Sequence, residues 1–149
     1  MPATSIDLEF ADGRYIFALK VPGINEMQEK CKAGIGRIYA RVLAGRYIID
    51  MESIGNPVEA EYMLTDLTET IRQGLIGGGM GVVDGEEVKV NSITANRLVE
   101  NYVVGRPLSE GWALAASVLM ALIEGYDPPK KKVEPEAPTS KGGSITPDA

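Results

Sequence analysis

The chain has 149 residues and a formal net charge of −6, and it contains no histidine and a single cysteine, Cys31. The length suits one domain, and the acidic balance disfavours nucleic-acid binding as the main task. The missing histidine removes the commonest general base and the commonest zinc ligand, and the lone cysteine, expected to be a small buried hydrophobe, is typical of a reducing compartment.

The N-terminal residues predict a β-hairpin. Large apolar side chains recur at every second position in residues 6–10 and again in residues 15–19. Asp12-Gly13 lies between the two runs and is a strong hairpin signal. Because a two-stranded hairpin is only marginally stable alone, we expect it to pack on helices or to pair with another chain.

Three helices are predicted next, over residues 24–32, over residues 35–44, and from Pro57 to about Ile76. The first follows a break at residues 21–23 and could be capped by Gly23 or Asn25. Residues 46–52, between the second and third helices, fit either a short strand or a tight connection.

The long third helix has the most regular pattern in the chain. Its apolar residues recur at steps of three and four, which places them on one face: Ala60, Leu64, Leu67, Ile71 and Leu75. Three glycines, residues 77–79, then predict a helix end and a sharp change of direction, because glycine reaches positive φ without steric penalty. A small residue at Gly74 would let a neighbouring backbone approach closely.

The segment after the glycines, residues 82–91, fits a hairpin about Asp84-Gly85 or a loop, and the loop is favoured. Ser92 or Thr94 is then expected to cap a helix, whose apolar residues are Leu98, Val99, Tyr102 and Val103.

A last helix is predicted over residues 108–125. It is apolar nearly all round, as expected of a helix at the centre of a bundle or at a subunit contact. Its apolar run is shorter than the ~20 residues that span a bilayer.

Together these patterns predict a mainly α protein of the α+β class, with an N-terminal β-hairpin packed on a bundle of about five helices. One folded domain is expected over residues 5–126. The Pro/Lys/Gly-rich tail, residues 127–149, is predicted to be disordered because it cannot bury enough apolar surface to offset its ordering entropy. No signal peptide is evident in the first five residues.

No motif points to catalysis. Gly77, Gly79 and Gly81 follow a helix and lack the Lys-Ser/Thr pair of a phosphate-binding loop, so nucleotide binding is disfavoured. Paired acids such as Glu86 and Glu87 lie in polar patterns typical of a solvated face. We therefore expect no enzyme, no catalytic residue, no cofactor and no metal.

Several segments resemble a known family. Residues 69–80, ETIRQGLIGGGM, are similar to the ETIRLGLIGGG signature of a tail assembly protein family of gene transfer agents and tailed phages. The segments DGRYIFAL (12–19), EMQEK (26–30) and YVVGRPL (102–108) resemble the family's DGEYTFAL, ELQEK and YVxGRPL, and residues 113–123 with Pro128-Pro129 resemble its last helix and ending. The matches follow the family's order over nearly the whole folded part. Residues 46–56 are longer than the family pattern, and residues 82–91 are an insertion relative to it.

The resemblance implies a non-enzymatic tail assembly chaperone in the host cytoplasm. Such a protein binds the tape-measure protein, helps to recruit major tail-tube subunits, and leaves before the particle is finished. The alternative is a structural tail-tube or tail-completion protein that stays in the particle. Self-association stays open, and neither nucleic acid nor a membrane is an expected partner.

A tape-measure protein is a long helical chain with apolar stripes, so its chaperone needs an apolar groove. We hypothesise a groove between the last helix and the helix ending at Ile76, floored by the glycine segment. Its partner-binding residues would be Arg72, Leu75, Ile76, Gly77, Gly78, Gly79, Met80, Arg106, Trp112 and Leu119. The competing interpretation is that each of these residues only packs in the core and binds no partner.

Overall fold

The architecture is that of a computed structural model, which describes residues 3–44 and 61–127. The predicted class is confirmed, since these residues form an N-terminal hairpin and five helices, and the hairpin packs against the third and fifth of them. Some predictions fall outside the described residues: the helix start at Pro57, the place of Ala60, the connection at 46–52 and the disordered tail beyond residue 127.

The strands form one antiparallel sheet of four, in the order β1-β2-β3-β4. Their bounds are β1 Ser5–Phe10, β2 Gly13–Ala18, β3 Met80–Val83 and β4 Glu86–Lys89. The first pair is the predicted hairpin, and its register runs from Phe10 opposite Gly13 to Ser5 opposite Ala18. Beyond this sheet, Ala3 and Tyr126 form an isolated antiparallel bridge, which ties the start of the described chain to its end.

The preference for a loop over residues 82–91 was wrong, because most of this segment belongs to a second hairpin. Asp84 and Gly85 both adopt positive φ, 51° and 80°, as a tight two-residue hairpin turn requires. Strand β3 also pairs with β2, placing Gly81 opposite Tyr15. Pairing with a distant strand therefore stabilises a hairpin whose own side chains are mostly exposed.

Within the described residues, the helices in chain order are α1 Val21–Cys31, α2 Ile35–Ala44, α3 Leu64–Gly78, α4 Ser92–Tyr102 and α5 Leu108–Glu124. None of them combines the length and apolar character needed to cross a membrane. Helix α2 begins and ends at the predicted residues.

Two predicted helix starts were wrong. Helix α1 begins at Val21 after the N-cap Lys20, because a proline such as Pro22 is tolerated in a first helical turn and does not break the chain there. Helix α4 is capped by Asn91, whose side-chain oxygen accepts from the backbone N–H of Thr94 at 2.9 Å.

The predicted start of α3 at Pro57 lies outside the described residues, but residues 61–63, which were predicted to be helical, are not helical. Helix α3 begins at Leu64, and the carboxylate of Asp66 accepts from the backbone N–H of Met63 at 2.9 Å. The same carboxylate accepts from Arg41 at 2.7 Å, so a buried ion pair ties the start of α3 to α2.

The core is built around α3, which contacts β2 and all four other helices. Leu67, Ile71 and Leu75 of its predicted stripe are fully buried. Leu64 differs, since half of its surface is exposed. It occupies the first turn of α3, where the stripe extends beyond the core.

The end of α3 lies directly against the backbone of β2. A Cβ atom added to Gly78 would overlap the carbonyl oxygen of Ile16, and one added to Gly77 would overlap the carbonyl oxygen of Ala18. Gly79 then adopts φ 74° and ends the helix, as predicted. The glycines therefore serve a close approach of helix to strand as well as a change of direction.

This close approach can be tested with an alanine substitution. Gly78→Ala places a methyl group on the β2 backbone, and we expect it to lower the free energy of unfolding by about 3 kcal/mol, at the upper end of typical overpacking costs. Gly36→Ala in α2 is the matched control, because nothing lies within 4 Å of its added Cβ. We expect that change to be neutral or slightly stabilising. Urea unfolding followed by circular dichroism measures both, and equal stability of the two variants would contradict the packing described here.

Candidate functional site

The hypothesised groove between α3 and α5 is closed. Leu75 and Leu119 are fully buried, and Trp112 is 6% exposed. The indole N–H of Trp112 donates to the carbonyl oxygen of Val42 at 2.6 Å, which fixes the ring between α5 and α2. These three side chains are core residues in this structure and do not line an open groove.

The other hypothesised residues lie in separate places. Ile76 and Gly77 line a crevice of about 310 Å³ beside the start of α1, whereas Met80 lies in β3. The guanidinium of Arg106 lies over the ring of Tyr102, 5.6 Å from its centroid, beside a cavity of about 340 Å³ near the first hairpin. Arg72 lies on neither surface.

Arg72 lies instead in an open groove between α3 and α4, with a volume of about 520 Å³. We call it the α3–α4 groove, and its lining residues are Lys30 of α1, Leu64, Thr68, Glu69 and Arg72 of α3, and Asn96, Val99, Glu100 and Val104 of α4 and the turn after it. Such a volume lies within the range of typical ligand pockets, about 300–1,000 Å³.

The two walls run antiparallel. The backbone N–H of Val90 donates to the carbonyl oxygen of Gly79, which places the start of α4 near the end of α3. Arg72 lies almost two turns before the end of α3, and Asn96 lies about one turn after the start of α4. Arg72 donates to the side chain of Asn96 at 3.4 Å. The groove therefore extends over residues 64–72 and 96–104, about 12 Å at the helical rise of ~1.5 Å per residue.

The two ends of the groove differ in chemistry. Leu64 and Val104, 50% and 43% exposed, form an apolar end. At the other end, Arg72 donates to Glu69 at 3.0 Å and to Glu26 of α1 at 2.7 Å. The apolar end is available for contact, while the polar end is already ion-paired.

The ion-paired end joins three helices. Lys30 of α1 lies 2.9 Å from Glu26 and 3.9 Å from Glu69. Hydrogen bonding to Lys30, and then to Arg72, lowers the pKa of Glu26 to about 2. The hydrogen bond to Glu69 is the largest cause of the raised pKa of the Arg72 guanidinium. The ion pairs join α1 to α3, and the hydrogen bond from Arg72 to Asn96 adds α4.

Sequence reasoning missed most of this groove. Leu64 was assigned to the core stripe, and Thr68, Asn96, Glu100 and Val104 were assigned no role. A signal was present, since Leu64, Thr68 and Arg72 share one helical face at steps of four, as do Asn96, Glu100 and Val104. That spacing identifies a shared face but not which faces border the same groove.

Within residues 3–44 and 61–127, no group of three or more His, Cys, Asp or Glu side chains could hold a metal ion. Cys31 is buried as expected, and burial raises the pKa of its thiol to about 12. Its Sγ donates to the carbonyl oxygen of Thr65 at 3.7 Å. The thiol is therefore a packed, protonated group at neutral pH.

Comparisons with protein-family models, with curated proteins and with solved structures gave no match. The tail assembly resemblance therefore stays an expectation based on the sequence motifs.

The ion-paired cluster predicts a pH dependence. Because the folded pKa of Glu26 lies below its usual value of 4.5, its contribution to stability is present above pH 4.5 and is lost as the pH falls towards 2. Glu26→Gln should therefore lower the free energy of unfolding at pH 7 by about 1 kcal/mol, because Glu26 is 43% exposed and solvent screens its ion pairs. More than half of that difference should be gone at pH 3.

Glu29→Gln is the matched control, since Glu29 is exposed on the same helix and makes no ion pair among the described residues. Chemical denaturation at pH 7, 5 and 3 provides the comparison. A destabilisation by Glu26→Gln that stays constant over this range would show that the cluster does not stabilise the fold through charge.

Proposed function

We propose that this protein is a non-enzymatic tail assembly chaperone of a tailed phage or gene transfer agent. It binds the tape-measure protein and helps to recruit tail-tube subunits in the host cytoplasm. The observation that supports the proposal best is the open α3–α4 groove, with exposed Leu64 and Val104 at one end. The sequence motifs supply the tail assembly context.

The shape of the groove suits a helical partner. Two antiparallel helices that border an open groove accept a third helix, which buries its apolar face along them. A length of about 12 Å corresponds to two helical turns, enough for one apolar and one polar side chain of the partner on the same face. A tape-measure protein, a long helix with apolar stripes, presents such faces repeatedly.

The glycine segment supports a structural interpretation of the motif ETIRQGLIGGGM. Gly77 and Gly78 contact β2 closely, Ile71 and Leu75 are buried, and Arg72 holds the ion-paired cluster. Packing accounts for these residues without a nucleotide or other small ligand. In this proposal the motif shapes the fold that carries the groove.

A retained tail-tube or tail-completion protein is the second candidate, favoured by one specific observation. The sheet has four strands rather than the two predicted, and within the described residues β1 and β4 each pair along one edge only. Uncovered edges allow strands of neighbouring subunits to pair in a ring.

The groove can be tested by placing a charge at its apolar end. In cells that co-express the tape-measure protein, Leu64→Asp or Val104→Asp should reduce the amount of soluble complex at least about tenfold. Each change removes the apolar burial that a half-exposed side chain still has to gain, about 1 kcal/mol, and it also requires desolvation of a carboxylate in the contact. Both residues lie at helix ends on the surface, so the fold should tolerate the change.

Met120→Asp is the matched control, since Met120 is 42% exposed on α5 and lies outside the groove. Thermal unfolding of the purified variants establishes that all three are folded. If the three variants and the wild type recover equal amounts of soluble tape-measure protein, the α3–α4 groove is not the binding site.

A further inference from the structure

The charges along the α3–α4 groove are not balanced. Glu26, Glu69 and Glu100 face Lys30 and Arg72 across or beside it, which leaves one negative charge in excess. Arg72 and Lys30 already contact Glu26 and Glu69. Glu100 makes no ion pair among the described residues, so the excess charge lies on the α4 wall.

Arg72 therefore does not select an acidic partner. Its guanidinium donates to both oxygens of Glu69, to Glu26 and to Asn96, and only 13% of its side chain is exposed. A carboxylate on a partner would have to displace one of these hydrogen bonds. Glu100, by contrast, is exposed, and its carboxylate oxygens can accept hydrogen bonds from a cation on a partner.

Glu100, in the last turn of α4, and Val104, in the turn that follows the helix, both line the groove. Val104 follows Glu100 by four residues along the α4 wall, and Leu64 lies on the opposite wall. A helix lying in the groove presents side chains at the same interval, because residues three or four apart share a face. Its apolar contact and its contact with Glu100 would therefore come from residues three or four apart.

We infer that the α3–α4 groove selects an amphipathic helix in which an apolar residue and a lysine or arginine are three or four residues apart, with the cation paired to Glu100. This inference rests on the proposed function, and it specifies which segments of a tape-measure protein bind. The formal net charge of −6 on the whole chain favours association with such cationic segments.

The experiment uses overlapping 30-residue peptides that cover the tape-measure protein encoded with this chain. Each carries a fluorophore, and anisotropy measures its affinity for the full-length protein. Binding peptides should contain the apolar–cation pair, and Glu100→Lys should weaken the tightest of them at least about tenfold, because like charges would meet in a partly desolvated contact. Replacing the peptide's cation with glutamate should restore binding to Glu100→Lys.

Glu87→Lys is the matched control, because it makes the same charge change on exposed β4, outside the groove. We expect it to change the affinity less than about twofold once salt screens long-range attraction.

The failures of the two proposals are distinguishable. If Leu64→Asp abolishes binding while Glu100→Lys binds the peptide like wild type, the charge selection is overturned and the proposed function stands. If Glu100→Lys and Glu87→Lys weaken binding equally, the attraction comes from the whole chain and the assignment to Glu100 is overturned. If no tape-measure peptide binds the wild type, the proposed function and this inference are both overturned.

Discussion

The close contact between the end of α3 and strand β2 is the constraint on which the rest of the structure depends. Gly77 and Gly78 carry no side chains, so the helix backbone can lie against the carbonyl groups of Ala18 and Ile16. With β2 this close, α3 becomes the central element and contacts every other described helix. A side chain at either glycine would push the helix away from the sheet and disturb all of these contacts together.

The α3–α4 groove follows from the same contact. Gly79 turns the chain out of α3 into β3, which pairs with β2, and the second hairpin then returns the chain to α4. Helix α4 therefore runs back along α3, on a different face from the one that meets the sheet. Arg72 holds this arrangement through Glu69, Glu26 and Asn96. In the proposed function, its contribution to partner binding is indirect, through the position of the walls that carry Leu64 and Glu100.

Local patterns predicted the elements whose signals are local. The first hairpin follows from alternation and from Asp12-Gly13, and the bounds of α2 match the predicted residues 35–44. The second hairpin was missed because Glu86–Lys89 is largely exposed and depends on β2, distant in sequence. The hypothesised groove lies on the α5 side of α3, where the structure has core packing, because periodicity shows which residues share a face, not which neighbour covers it. The apolar stripe that suggested a groove against α5 is instead the core contact with α5.

The most direct test of the proposed chaperone role is quantitative mass spectrometry of purified particles and of the lysate from which they come. A chaperone acts during assembly and leaves, so the protein should be abundant in the lysate and absent from the particles. Tail-tube and tape-measure proteins should be present in both and serve as internal standards. Recovery of this chain in particles at a stoichiometry comparable to the tail-tube subunit would contradict the account and identify a structural tail protein.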